Sequence, residues 1–130
     1  MRSAKGSTNC LALKESDIQI QVADWLRLYE SARDFIFFSV PGEAMGEAKT
    51  GAGLGRMARL KRMGMRPGVA DIVIIRKGRA YFLELKTLDG VQSERQSAFQ
   101  ADCYYVGAEY EIAHSFEEAQ AIVKKWKILE

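Results

Sequence analysis

Residues 66–86 read R-P-G-V-A-D-I-V-I-I-R-K-G-R-A-Y-F-L-E-L-K, which is two short apolar runs on either side of Lys77-Gly78. Apolar runs rich in β-branched residues around a two-residue turn predict a β-hairpin. Counting outward from that turn along an antiparallel ladder sets Asp71 opposite Glu84. Opposed residues share one face of a sheet, with Cβ atoms about 4.5–5.5 Å apart. Lys86 lies two residues beyond Glu84 and joins them on that face. A one-residue slip would separate the two carboxylates.

Two carboxylates and an amine on one hairpin face need a physical explanation. Neighbouring like charges resist ionising together, and each desolvated ion costs several kcal/mol. A hard divalent cation removes this conflict, because Asp and Glu oxygens are the ligands that Mg²⁺ prefers. The alternative is a structural salt bridge on a strand pair, which is the commoner explanation for an isolated D…E-x-K pattern.

The flanking sequence favours the metal site. The letters P-G-V-A-D over residues 67–71, followed by E-L-K over residues 84–86, resemble the PD-(D/E)xK nuclease pattern, and more narrowly its VRR-NUC branch of single-domain phage and bacterial nucleases. The resemblance extends from about Glu15 to Trp126 and includes the basic R-L-K-R-M-G-M-R approach to the first strand. It implies an α/β fold with a restriction-endonuclease-like core. In that core a mixed central sheet of about four strands has helices on both faces, in the order αβ(α)ββαβα.

The resemblance also implies the roles of individual residues. Asp71 and Glu84, with the backbone carbonyl of Leu85, would hold Mg²⁺, with Mn²⁺ as a substitute. Lys86 would orient or deprotonate the attacking water. Gln96, in the helix that follows, would support the site near that lysine. As the third residue after Ser93 in S-E-R-Q, Gln96 also has a complete structural explanation as part of a capping box.

An acidic residue from the first helix completes the metal site in the resembled family, and Glu15 matches that position. We predict Glu15 as both a catalytic residue and a metal ligand. Gln19, one helical turn further on, is the alternative. Glu15 could also be only an acid favoured by the helix macrodipole. The sequence S-D-I-Q places the start of this helix at Ser16 and its end near Arg33.

The basic residues are unevenly distributed. Residues 49–66 contain six basic and no acidic residues, whereas the remaining chain has 13 basic and 17 acidic residues. This segregation is typical of a protein that binds the phosphate backbone of DNA. The alternative is a solvated basic helix. The predicted DNA-binding residues are Lys49, Arg56, Arg59, Lys61, Arg62 and Arg66.

The sequence T-G-A-G-L-G over residues 50–55 superficially suggests a phosphate-binding loop. No strand leads directly into it and the terminal G-K-[ST] of a P-loop is missing, so we exclude a nucleotide cofactor. We predict instead a flexible loop that can approach DNA closely.

The 130 residues are expected to form one domain over residues 15–130, preceded by a flexible lead-in over residues 1–14. Cys10 and Cys103 match neither a disulfide framework nor a metal-site spacing. No apolar run reaches 18 residues and no signal peptide is evident, so we expect no membrane partner and a cytoplasmic location in a bacterial or phage-infected cell.

These observations together predict a divalent-metal-dependent, structure-selective DNA endonuclease. The resemblance implies a Holliday-junction-resolvase-like homodimer that acts on branched DNA in repair or recombination and leaves a 5′-phosphate and a 3′-hydroxyl. The alternatives are a monomeric flap- or nick-processing nuclease and a catalytically silent DNA-binding module on the same fold.

Overall fold

The computed structural model describes residues 13–32, 34–40 and 51–129, with side chains from residue 55 onward in the last of these ranges. The elements are α1 (Glu15–Glu30), β1 (Phe35–Ser39), α2 (Gly51–Arg62), β2 (Ile72–Arg76), β3 (Arg79–Leu85), α3 (Glu94–Val106), β4 (Glu109–Ala113) and α4 (Phe116–Lys125). The four strands form one sheet in the order β1-β2-β3-β4. The β1–β2 and β2–β3 pairs are antiparallel and the β3–β4 pair is parallel. The predicted mixed α/β sheet and element order are confirmed.

The hairpin of β2 and β3 has the predicted register. Arg76 pairs with Arg79, with Lys77 and Gly78 between them. Both turn residues have positive φ, 51° and 76°, which is the backbone of the two-residue turn that best matches the twist of paired strands. At the other end of the ladder Ile72 pairs with Leu83, so the next position outward brings Asp71 and Glu84 together.

Both faces of the sheet are covered by helices, as predicted. Helices α1 and α4 cover one face, where the buried strand residues are Ile72, Ile74, Tyr81, Leu83 and Leu85. Because β3 and β4 are parallel, the chain must cross over between them. The crossover helix α3 covers the other face, where Phe99 contacts Phe82 edge-to-face with ring centres 5.0 Å apart.

Helix α1 begins one residue before the predicted cap. Lys14 is the N-cap and Glu15 is already helical, so the prediction that Ser16 starts the helix is wrong. The backbone N–H of Lys14 donates to Asp17 Oδ2 at 3.2 Å, so the acidic residue three positions on fixes the start. The helix ends at Glu30, short of Arg33, because its buried stripe ends at Leu26.

Residues 54–63 also predict a short basic helix. Helix α2 begins at Gly51 and ends at Arg62, so that helix is confirmed, and the prediction of a flexible loop is wrong for residues 51–53. Each glycine costs a helix only about 1 kcal/mol relative to alanine, and burial of Met57 anchors α2 against the fold. Gly64, with φ of 109°, follows its last turn. Lys49, Cys10 and most of the predicted lead-in lie outside the described residues. No described helix has the length and apolar character needed to span a membrane.

Candidate active site

Three carboxylates from separate parts of the chain meet at one end of the sheet. Glu15, Asp71 and Glu84 each offer an oxygen, and these three oxygens lie within 4.8 Å of one another. Glu15 comes from the first turn of α1, Asp71 immediately precedes β2, and Glu84 is the second-last residue of β3. The predicted alternative to Glu15, Gln19, lines a separate groove between α1 and β1.

Asp71 is held in place by the neighbouring strand. Its Oδ2 accepts a hydrogen bond of 2.9 Å from the backbone N–H of Leu85. Its backbone carbonyl accepts one of 3.0 Å from the N–H of Val40, which follows β1. The side chain of Asp71 therefore extends the pairing of β2 with β3 by one hydrogen bond. This bond orients its carboxylate before any ligand binds. The role of the Leu85 carbonyl as a metal ligand stays a prediction.

Glu84 is the most buried ionisable group in the site, with 1% of its surface exposed. Burial raises the pKa of its carboxyl to about 8, and the nearby charge of Asp71 adds to this effect. The Lys86 ammonium, with Nζ 3.6 Å from Glu84 Oε2, opposes the rise in pKa. Glu84 Oε1 is buried and has no hydrogen-bond partner among the described residues. Such an oxygen is costly unless a ligand satisfies it.

Gln96 links the start of α3 to this carboxylate. Its Oε1 accepts from the backbone N–H of Ser93 at 2.9 Å, as expected for a capping box. Because that N–H can only donate, the other end of the amide must be the NH₂ group. Gln96 Nε2 donates to Glu84 Oε2 at 2.7 Å. The capping and site-supporting interpretations of Gln96 therefore describe two ends of one side chain.

Lys86 follows β3 and is almost fully buried, at 8% exposure. Its backbone N–H donates to the carbonyl of Ala113 at 2.9 Å, which extends the pairing of β3 with β4 by one residue. The long side chain is thereby aimed at the carboxylates rather than at solvent. A buried ammonium needs such partners, because an unpaired one is strongly disfavoured.

A cavity of about 240 Å³ opens over the carboxylates. One wall is the turn at Gly68, which has φ of 87° and lies against the first turn of α3. A Cβ atom at Gly68 would stand 2.5 Å from the carbonyl oxygen of Arg95. Only glycine allows this backbone approach, which fixes the segment leading to Asp71 against the helix that carries Gln96.

The predicted DNA-binding residues that the structure describes differ in their surroundings. Arg56, Arg59, Lys61 and Arg62 are exposed on α2. Arg66 lines the cavity, forms an ion pair with Asp102 and lies over Phe99, with Cζ 5.1 Å from the ring centre.

Arg95 also lines the cavity, although it is not among the residues predicted from the sequence. It stands beside Gln96 in the first turn of α3, and that adjacency was the one available signal. Asp102 and Phe99 were missed as well, because their importance comes from contact with Arg66, which lies more than 30 positions earlier in the chain.

The donor set fits a hard divalent cation. All three converging side chains are carboxylates, which suit Mg²⁺ or Mn²⁺. Glu84 Oε1 provides a buried acceptor that no described residue satisfies. Glu15, Asp71 and Glu84 would hold such an ion.

Comparison with solved structures identifies the fold. One structure, described as "VRR_NUC domain protein", superposes with a TM-score of 0.67 at 17% identity, covering 89% of this chain and 90% of its own. A second, described as "VRR_NUC domain", gives a TM-score of 0.57 at 18% identity and covers 88% of this chain and 99% of its own. No family model and no curated protein matches the sequence. The resemblance drawn from the hairpin residues is thus confirmed at the level of the fold.

Proposed function

We propose that this chain, which has the fold of the VRR_NUC structures, is a VRR-NUC nuclease that hydrolyses phosphodiester bonds of DNA with the help of a divalent cation. The observation that supports this most strongly is the convergence of three carboxylates, one of which, Glu84, has a buried oxygen with no hydrogen-bond partner among the described residues. A structural salt bridge would need only one acid for Lys86. Three acids at one place are stable together when a cation offsets their repulsion.

A bound divalent cation supplies Lewis acidity, acidifying a water and neutralising charge on the phosphodiester. The protein residues provide orientation. The hydrogen bond from Leu85 N–H holds Asp71, and the amide of Gln96 holds Glu84. Both hydrogen bonds favour the ionised carboxylates, which are the forms that bind a cation.

Lys86 is proposed to act on the attacking water. Its Nζ lies 3.6 Å from Glu84 Oε2, and both side chains are almost fully buried. In that position it can orient a water by hydrogen bonding, or accept the proton of that water when it is itself neutral. Its backbone is fixed by Ala113, so the reach of the side chain is limited to the neighbourhood of the carboxylates.

The exposed arginines and lysine of α2 are proposed to bind the DNA backbone. Arg56, Arg59 and Arg62 recur every third residue, so they lie near one another on the helix surface. Contacts of this kind position a duplex without reading its sequence. We therefore expect selectivity for DNA shape rather than for base sequence.

We further propose that the substrate is branched DNA and that the active form is a homodimer, because a two-fold dimer presents two equivalent sites to a two-fold-symmetric four-way junction. The competing hypotheses are a monomeric nuclease acting on flaps or nicks, and a DNA-binding module without activity. Asp71, Glu84 and Lys86 are all present and close together, which favours an active enzyme over the silent module.

The experiment is a cleavage assay with end-labelled four-way junction, flap, nicked and linear DNA, in EDTA, Mg²⁺ or Mn²⁺. We expect cutting only with the metals and fastest on the junction, with sedimentation showing a dimer. Preference for flaps by a monomer would support the first alternative. Binding of DNA without cutting under either metal would contradict the proposed activity and favour the silent module.

A further inference from the structure

Two arginines line the cavity from adjoining segments. Arg66 lies two residues before Gly68, and Arg95 is in the first turn of α3. Gly68 packs directly on the backbone of Arg95 and Gln96, where a Cβ would come within 2.5–2.9 Å of their atoms. This close packing fixes the backbone of the segment that carries Arg66 against the first turn of α3, which carries Arg95.

Arg66 is anchored along α3 by two different contacts. Its guanidinium forms an ion pair with Asp102, and its Cζ lies 5.1 Å from the centre of the Phe99 ring. These two contacts together fix the guanidinium of Arg66 beside α3. A guanidinium has five N–H donors, and a single oxygen of Asp102 leaves donors for another anion.

The surroundings of the Arg95 side chain differ from those of Arg66. Arg95 is exposed at the cavity rim, and its side chain forms no hydrogen bond or ion pair with another residue of the part of the chain that the structure describes. Its positive charge therefore stands at a cavity that contains three carboxylates. It can offset their repulsion of an approaching phosphodiester, since opposite charges in a partly desolvated site interact more strongly than in bulk water.

The Arg95 backbone and the contacts that anchor Arg66 lie at different levels of α3. Arg66 is held at Phe99 and Asp102, which lie four and seven residues beyond Arg95 on α3. At about 1.5 Å per residue this is roughly 6–10 Å along the helix axis. Phosphates follow one another along a DNA strand every ~3.4 Å of duplex axis, and more widely along the backbone itself. The offset along α3 is thus on the scale of the distance between neighbouring phosphates of one strand.

We propose that Arg66 and Arg95 form a phosphate wall, which holds the phosphates next to the one that is cut, while Asp102 and Phe99 position Arg66. This proposal rests on the proposed nuclease function and deepens it. It identifies the cut strand as the one that crosses α3. Arg95 and Arg66 then set the position of the scissile bond above the carboxylates, whereas the basic face of α2 contacts the DNA farther from the chemistry.

The test measures DNA affinity against salt concentration, in EDTA so that nothing is cut. Each phosphate contact contributes about 0.9 to the slope of log affinity against log salt. Arg66→Gln and Arg95→Gln should each lower the slope by about one, and the double variant by about two. The matched control is Arg79→Gln, an exposed arginine paired with Glu109 at 2.7 Å at the turn end of β3, roughly 17 Å along the strand from Glu84. It should leave the slope unchanged.

Two further measurements separate this proposal from the nuclease proposal. The Mn²⁺ affinity of the DNA-free variants should be no weaker than that of the wild type, which would show that the fold and the carboxylates are intact. With Mg²⁺, each variant should cut DNA about tenfold less efficiently through a higher KM.

If the wild type cuts DNA but the slopes of Arg66→Gln and Arg95→Gln match the control, the phosphate wall is overturned and the nuclease proposal stands. If the slopes fall as expected but no DNA is cut, the wall stands and the proposed activity fails. A wild type that binds no DNA contradicts both.

Discussion

The amide nitrogen of Gln96 donates to the carboxylate of Glu84 at 2.7 Å, across the gap between α3 and β3. The other end of the same amide accepts from the backbone of Ser93. The hydrogen bond that begins a helix and the one that orients a proposed metal ligand therefore share one side chain. When α3 forms, its first turn therefore positions Gln96 Nε2 to donate to the Glu84 carboxylate.

The two functions of Gln96 can be separated by mutation. Ser93→Ala removes a cap acceptor and should lower the free energy of unfolding by about 1 kcal/mol, leaving kcat within about twofold. Gln96→Ala removes both hydrogen bonds, so it should cost at least as much stability and lower kcat by about tenfold or more. Urea unfolding and single-turnover cleavage measure the two effects. An equal loss of kcat in both variants would mean that Gln96 acts only through the helix.

The close approach at Gly68 predicts an unusually damaging alanine substitution. Gly68→Ala introduces a Cβ 2.5 Å from a backbone oxygen and a residue that is strained at φ of 87°. We expect a loss of about 2–4 kcal/mol in stability. The control is Gly55→Ala in α2, where a Cβ meets nothing within 4 Å. It should stabilise the protein by up to about 1 kcal/mol. Equal thermal shifts in the two variants would contradict the packing described for Gly68.

The buried carboxyl of Glu84 predicts how stability depends on pH. Its pKa is raised from 4.5 to about 8 in the folded protein, so between these values the folded state binds more protons than the unfolded state. The free energy of unfolding of the metal-free protein should therefore fall as pH rises from about 4.5 to 8. We expect a contribution on the order of 2 kcal/mol, because relaxation and solvent screening reduce the full linkage value.

Replacement of Glu84 identifies the source of that slope. Glu84→Gln should flatten the dependence of stability on pH, whereas Glu117→Gln, on the first turn of α4, should leave it unchanged. Chemical denaturation in EDTA at several pH values makes the comparison. Retention of the slope in Glu84→Gln would assign it to other groups.

Lys86 should be needed for chemistry more than for binding. Lys86→Ala should reduce cleavage by at least about a hundredfold, because no other ammonium among the described residues lies beside Glu84. Junction affinity in EDTA should change less than threefold. Lys125→Ala, which removes an exposed lysine paired with Glu111, is the control for loss of charge. If affinity for DNA falls as much as cleavage, Lys86 instead holds phosphate or supports the fold.

The contacts of the site that could be predicted from the sequence are those between residues close together in the chain. The turn at Lys77-Gly78 fixes the register of two adjacent strands, and that register determines where Asp71 and Glu84 lie. The capping box of Ser93 and Gln96 is equally local. In both cases the interacting residues are close in sequence, so spacing alone predicts the contact.

The rest of the site depends on packing between distant segments. Glu15 reaches the carboxylates because α1 packs across the opposite face of the sheet, a geometry that its own sequence does not determine; its prediction came from the resemblance. The start of α1 was mispredicted because Lys14 is an uncommon N-cap residue and Ser16 a common one. Arg95 was missed because its relation to the site arises through the contact with Gly68, a residue in another part of the chain.

The most direct test is to measure Mn²⁺ binding to the DNA-free protein at pH 8, by titration calorimetry and by electron paramagnetic resonance. We predict a saturable site in the wild type and at least a tenfold loss of affinity in each of Asp71→Asn and Glu84→Gln, with Glu117→Gln unchanged. Absence of saturable binding, or equal affinity in the wild type and all three variants, would contradict the claim that these carboxylates form a metal centre.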